Sequence, residues 1–177
     1  MKQISILILI VFYSAISSVN TIRTPDNVKP KHVYALATLV TQNIHAIQEK
    51  MGRPRINESL IEIDNAQPRE VYFQAVSLLE KIKLLHLETT YSVADDQFHP
   101  HQQLTPRAVW DVLLACLKRL KSINTKLGLT LPANLPAIID NKNPSDVYTE
   151  LLINIRQVNT LLTQPYTPGN VFQEVST

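Results

Sequence analysis

The sequence predicts an all-α chain. Four long helices are expected in a duplicated helix–loop–helix arrangement, a pseudo-twofold bundle or short helical-repeat array with long loops packed on the helices. Three observations predict it. The pattern Pro-x-x-Val-aromatic recurs at Pro30/Val33/Tyr34, Pro68/Val71/Tyr72, Pro106/Val109/Trp110 and Pro144/Val147/Tyr148, and these prolines are 38 residues apart each time. An apolar stripe in alternating steps of three and four follows each proline. Ile63-Asp64-Asn65 is repeated as Ile139-Asp140-Asn141, 76 residues later, which is twice the basic interval.

Residues 1–18 read as a signal peptide. Lys2 supplies a positive start, Ile4 to Tyr13 are apolar but for Ser5, and Ser14, Ala15, Ser17 and Ser18 are the small residues that precede a cut. The apolar run is about half of the roughly 20 residues that span a bilayer as a helix. Residues 19–28 then form an N-terminal linker to a single helical domain over 29–177, with halves 29–104 and 105–177.

Each proline stands at the first helical position, where its missing N–H has no partner to lose. Thr105 and Asn143 precede two of them as good N-caps; Lys29 and Gln67 are poorer ones. The stripe of the first helix runs Val33, Ala37, Val40, Ile44, Ile47, Met51. The second runs Val71, Ala75, Leu78, Ile82, Leu85. The third runs Val109, Leu113, Cys116, Leu120, Ile123, Leu127. The fourth runs Val147, Leu151, Asn154, Val158, Leu161. Asn154 is the one amide on a stripe, and a small rotation bringing Ile155 inward would remove it from the core. Gly52 and Gly128 lie just past the first and third stripes and mark helix ends, with Lys50 and Lys126 in the last turns. The expected helices are 30–51, 68–88, 106–127 and 144–163.

The joins are long. Gly52 to Gln67 is sixteen residues, which extended reach roughly 50 Å, whereas a 22-residue helix is about 33 Å long. A join can therefore run back along a helix and start the next one in the same direction. Ile56, Leu60, Ile61 and Ile63, then Val93, Phe98 and Leu104, then Leu131, Leu135, Ile138 and Ile139 are apolar anchors that hold the joins to the bundle.

Lys and Arg number 17 against 15 Asp and Glu, a net charge of +2. That balance excludes a dedicated nucleic-acid binder. The basic run Lys118, Arg119, Lys121 and Lys126 reads as a solvated helix face. Cys116 is the single cysteine, so no disulfide can form within the chain. An exported helical domain without disulfides fits a bacterial periplasm, or a bacterial extracellular setting, better than animal secretion.

The chemistry-bearing residues are sparse. Tyr34, Tyr72, Trp110 and Tyr148 are candidate ligand-binding residues: parallel helices gather them at one end, where rings can cage an apolar or cationic group. The plainer alternative is that each ring packs against the loop arriving at its helix. His99 and His101, with Asp95 and Asp96, are candidate metal ligands of types that suit zinc, copper or nickel, although a full site needs more. Asp64/Asn65 and Asp140/Asn141 are turn formers. Cys116 lies on a core stripe, where a cysteine is an inert small hydrophobe. A fifth start, Pro168/Val171/Phe172, comes only 24 residues after the fourth, and Val171 and Phe172 are candidates for a partner-binding tail or a cap on the core.

No phosphate loop, nucleophile elbow or zinc-protease helix is present in the sequence. These readings describe an exported, non-catalytic binding or scaffold module without a cofactor. Its partner is an unknown protein or small ligand, and no membrane segment remains after cleavage. The alternative is a small-ligand or metal sensor or carrier that uses the bundle interior, the aromatic starts or the His99/His101 loop. Intact-mass analysis of the exported protein should show the loss of about 17–20 residues, as expected for a signal peptide; retention of Met1 would remove the export reading.

Overall fold

The computed structural model describes residues 22–56, 63–93, 103–130 and 134–162. It contains four helices: α1 (Pro30–Lys50), α2 (Pro68–Thr90), α3 (Pro106–Lys126) and α4 (Pro144–Leu162). Every helix begins on the proline of its repeat. Thr105 caps α3, its hydroxyl accepting from the Ala108 N–H at 3.3 Å. Asn143 caps α4, its side-chain oxygen accepting from Ser145 N–H at 2.8 Å and Asp146 N–H at 3.1 Å. The two poor caps are compensated from inside the helix. His32 Nδ1 accepts the Lys29 N–H at 3.1 Å, and Glu70 Oε2 accepts the Gln67 N–H at 2.7 Å. The glycines end α1 and α3 as expected. Gly52 and Gly128 sit at φ +63° and +70°, and the following N–H closes back five residues, Arg53 to Gln48 at 2.7 Å and Leu129 to Asn124 at 2.8 Å. Only glycine adopts that left-handed turn without strain. α2 has no such glycine; it ends on Thr90, two residues later than expected, and Tyr91 follows as its cap at φ +56°.

All four helices run in the same direction. Their first turns meet at one end, where Pro30, Val33, Pro68, Val71, Pro106, Val109, Pro144 and Val147 surround a depression of about 30 Å³. α1 packs against α3 and α4, and so does α2, while α1 and α2 face each other across one diagonal and α3 and α4 across the other. A half-turn about the bundle axis carries each helix to the one opposite. The 76-residue shift that carries α1 to α3 and α2 to α4 is a quarter-turn about the same axis.

The interior is layered. Equivalent stripe residues sit at equal depth: four valines (33, 71, 109, 147), then Ala37, Ala75, Leu113 and Leu151, then Val40, Leu78, Cys116 and Asn154, then Ile44, Ile82, Leu120 and Val158, then Ile47, Leu85, Ile123 and Leu161. None of these side chains is more than 4 % exposed. The four-three spacing keeps one seam of each helix on the axis, as in a parallel coiled coil. The rotation considered for α4 does not occur. Asn154 is fully buried and Ile155 lies at the margin. Turning Asn154 outward would lift Leu151 and Val158 out of their layers, and the amide is held instead by a bond from its Nδ2 to the Ala37 carbonyl at 3.2 Å.

The joins follow from the parallel packing. From the end of α1, the chain must reach the start of α2 on the opposite corner, and it crosses α4 to do so. Gln157 on α4 grips the backbone of Ile56 at both polar atoms, accepting from its N–H at 3.2 Å and donating to its carbonyl at 3.0 Å. Near the other end of α4, Ser145 Oγ accepts the Ala66 N–H at 3.0 Å. The join from α3 to α4 crosses α1 in the same way, where Asp140 pairs with Lys31 at 2.6 Å and Lys142 stands 4.5 Å from the centre of the Tyr34 ring. Of the expected anchors, Ile63, Leu104 and Leu135 pack on the core, as does Leu129, which was not among them, while Leu60, Ile61, Phe98 and Leu131 lie outside the described residues. Val93, Ile138 and Ile139 do not, at 85 %, 47 % and 47 % exposed. Part of the expected N-terminal linker also belongs to the fold. Ile22 and Val28 pack on the core, and Thr24 Oγ1 accepts the indole N–H of Trp110 at 3.2 Å.

Cys116 lies in the middle layer with no exposed surface, and burial pushes its thiol far above the ordinary range. Thiol reagents should label the native protein slowly and the denatured protein at once. Cys116→Val should cost on the order of 1 kcal/mol or less, because Val40 fills the equivalent place in α1, whereas Cys116→Asp should prevent folding by burying an unpaired charge. Rapid native labelling would place the side chain elsewhere.

Candidate functional site

Parallel packing brings Tyr34, Tyr72, Trp110 and Tyr148 to one end, one position past the valine layer. That extra residue turns each ring away from the axis, so the axial depression is walled by proline and valine. The rings have separate surroundings. Trp110 is fully buried under the N-terminal segment. Tyr34 lies beneath the Lys142 ammonium. Tyr72 meets Phe73 edge-on, with ring centres 5.7 Å apart, and Tyr148 is half-buried against the core. Asp95, Asp96, His99 and His101, and Val171 and Phe172, lie outside the described residues. Among the described residues, no group of three or more His, Cys, Asp or Glu side chains is placed to hold a metal ion.

Of the duplicated Asp-Asn turns, Asp64 and Asn65 border a groove, while Asp140 pairs with Lys31 on α1. The groove of about 860 Å³ runs between 63–67 and 142–153, bordered by Tyr34, Asp64, Lys142, Asp146 and Glu150. Much of this polarity serves the helix starts. Asp146 accepts the Asn143 N–H and the Lys142 ammonium, both at 2.9 Å. Carboxylates here also meet the positive ends of four parallel helix dipoles. Glu150 is the least solvated of them. Its carboxylate accepts the Thr41 hydroxyl. Burial raises its pKa, with the Thr41 bond and the Lys142 charge pulling the other way.

The uncovered side of the molecule is different. The crossing joins sheathe α1 and α4, and no residue of α4 is exposed. α2 and α3 keep bare outer faces. On α2 the bare face is mixed: large apolar side chains stand among exposed Arg69, Ser77, Glu80 and Glu88. Phe73 is 51 % exposed, Leu84 46 %, Leu87 44 %, Tyr91 82 % and, just past the helix, Val93 85 %. Leu84, Leu87 and Tyr91 follow at steps of three and four and form one row. Beside the row a groove of about 440 Å³ is lined by Glu80, Lys83, Leu84, His86, Leu87, Ser92, Val93 and Arg119. His86 is anchored across it, its Nε2 within 3.1 Å of Ser122 Oγ on α3. Arg119, expected on a solvated face, is only 3 % exposed and turns into this groove. Lys118 and Lys121 remain on the surface beside it.

The row stands outside the stripes that the helices share, and its signal lies in what they do not share. Sixteen residues past the prolines the sequence has Ala46, Leu84, Ser122 and Thr160; nineteen past, it has Glu49, Leu87, Thr125 and Thr163. Only α2 places leucine at both positions.

The raised pKa of Glu150 gives the folded state the tighter hold on that proton. Its contribution to stability is therefore most favourable below the unfolded value of 4.5 and declines as pH rises through the higher folded value. Glu150→Gln keeps an acceptor for Thr41 and removes the charge. It should leave the melting temperature at neutral pH unchanged or raised and flatten its decline above the ordinary glutamate range. A clear loss of stability at neutral pH would show that the ionised form is favoured here. No protein-family model, no curated protein and no solved structure matches this chain.

Proposed function

We propose that the chain is an exported, non-catalytic docking module that receives an apolar segment of a partner protein along the outer face of α2. The row Leu84, Leu87 and Tyr91, left bare on a bundle whose α1 and α4 are sheathed by chain, is the observation that carries this reading. Such spacing is how a helix face presents anchors to a partner lying along it. Lys83 and Arg119 line the groove beside the row together with Glu80, which pairs with Lys83 at 2.5 Å, so both signs of charge border the apolar anchors. Export is supported by the order of charge, apolar run and small residues over 1–18. A non-catalytic role is supported by the placement of Cys116 inside the core, away from any cleft.

Leu84→Glu with Leu87→Glu tests the reading. Both residues are surface positions, so each change should alter stability by only about 0.5 kcal/mol. Loss of two apolar anchors should weaken partner binding by about 1–2 kcal/mol each, roughly thirtyfold to several-hundredfold together. The measurement is capture of proteins from an extract of the native compartment by the wild-type chain and by the double variant. If the variant retains the same proteins as wild type, or wild type retains none, the row is not the docking surface.

A further inference from the structure

We propose that the partner received along the outer face of α2 is a second copy of this chain, docked so that the two α2 helices lie antiparallel about a twofold axis. This rests on reading that face as a docking surface, and it names the occupant.

Three observations converge on it. The first is periodicity. Phe73, Ser77, Glu80, Leu84, Leu87 and Tyr91 are all exposed, and they follow one another at alternating steps of four and three. That is the seam of a two-helix coiled coil. It lies on the opposite side of α2 from the stripe that fills the core.

The second is charge at the wrong ends. Arg69 stands in the first turn of α2 and Glu88 in the last. Each sits at the end of the helix dipole that disfavours it, whereas α1 and α3 carry Lys50 and Lys126 in their last turns. An antiparallel second copy places both correctly. Arg69 then lies beside the last turn of the partner's α2, and Glu88 beside its first. A parallel copy would set arginine against arginine and glutamate against glutamate.

The third is that charge and shape choose one register. With Arg69 against Glu88 of the partner subunit, Phe73 falls against Leu84 of the partner subunit and Ser77 against Glu80 of the partner subunit. Twofold symmetry makes each contact twice. Ser77, the smallest side chain of the seam, is next to the axis, and Leu87 and Tyr91 reach the start of the partner's α2. The other charges of the face do not oppose this register. Glu80 is paired with Lys83 of its own chain at 2.5 Å. Glu70 is turned back to the Gln67 N–H. Lys81 stands on the flank, at the position that buried Asn43, Arg119 and Gln157 hold in the other helices. Lys118 and Lys121 belong to α3, one corner back from the seam.

Charge reversal tests the proposal. In the analytical ultracentrifuge the full chain should dimerise as its concentration rises. Arg69→Glu and Glu88→Arg should each weaken the dimer by about tenfold or more, because each sets two pairs of like charges together. Both positions are exposed, so helix content should not change. An equal mixture of the two variants should recover the wild-type affinity as a heterodimer, since every pair across the interface is again opposite in sign. Leu84→Glu with Leu87→Glu should leave the chain monomeric. A wild-type chain that stays monomeric at every concentration overturns the proposal. So do single reversals as tight as wild type, a mixture no tighter than its components, or a Leu84→Glu/Leu87→Glu chain that still dimerises. Partner capture is read separately. A monomeric wild-type chain that retains another protein, lost with Leu84→Glu/Leu87→Glu, overturns the second copy and leaves the docking reading standing.

Discussion

Four helices that all begin with proline at one end of a bundle must lie parallel, and parallel helices add their dipoles instead of cancelling them. Each start carries roughly half a positive charge, and four meet around the ring of Val33, Val71, Val109 and Val147. The sequence answers this at both ends. Glu70 and Asp146 turn back to accept backbone N–H groups at the starts of α2 and α4. Lys50 and Lys126 stand in the last turns of α1 and α3. The acidic border of the groove near Tyr34 belongs to this arrangement, which is why its charge alone does not identify a ligand.

Parallel packing also dictates the joins. Each must return the full length of a helix, and two of them must cross a third helix to reach the opposite corner. Crossing is what covers α1 and α4 and leaves α2 and α3 bare. Because the helices share one apolar pattern, the layers themselves do not choose neighbours. Polar pairs at the C-terminal half do. Gln48 donates to Gln157 at 2.7 Å between α1 and α4. Asn124 donates to Asn43 at 2.9 Å between α1 and α3. His86 meets Ser122 between α2 and α3. Three of the four packed interfaces thus carry a different pair, and exchanging two helices would leave buried amides without partners, at about 1–3 kcal/mol each.

The helices and their layers were legible because proline, the three-four stripe and the glycine stops act locally and repeat at a fixed interval. Asn154 was misjudged for a physical reason. Its own polarity argued for the surface, while the register of Leu151 and Val158 held it in the middle layer. Arg119 was misjudged similarly, since its neighbours Lys118 and Lys121 are solvated and it alone turns in. Which helices are neighbours was not legible, because that depends on pairs of polar side chains far apart in sequence. The bare row on α2 was partly legible. Leu84 and Leu87 stand out only when the four repeats are compared position by position, and their exposure depends on which helix each join crosses.

The alternating corners have a further consequence for how the chain acquires its structure. The backbones of α1 and α2 do not approach closely, and neither do those of α3 and α4, so neither half of the duplicated sequence contains a pair of adjacent helices. The unit that was copied is not a unit that folds. Each half is expected to remain open chain until the other arrives, since isolated helices of about 20 residues are marginal in water. α1 begins 76 residues before α3, its first neighbour in the chain, so its burial waits on contacts of high sequence separation, the kind that slows folding. Two fragments severed between α2 and α3 would then be unstructured apart and structured only as a pair, each supplying the opposite diagonal of a single core.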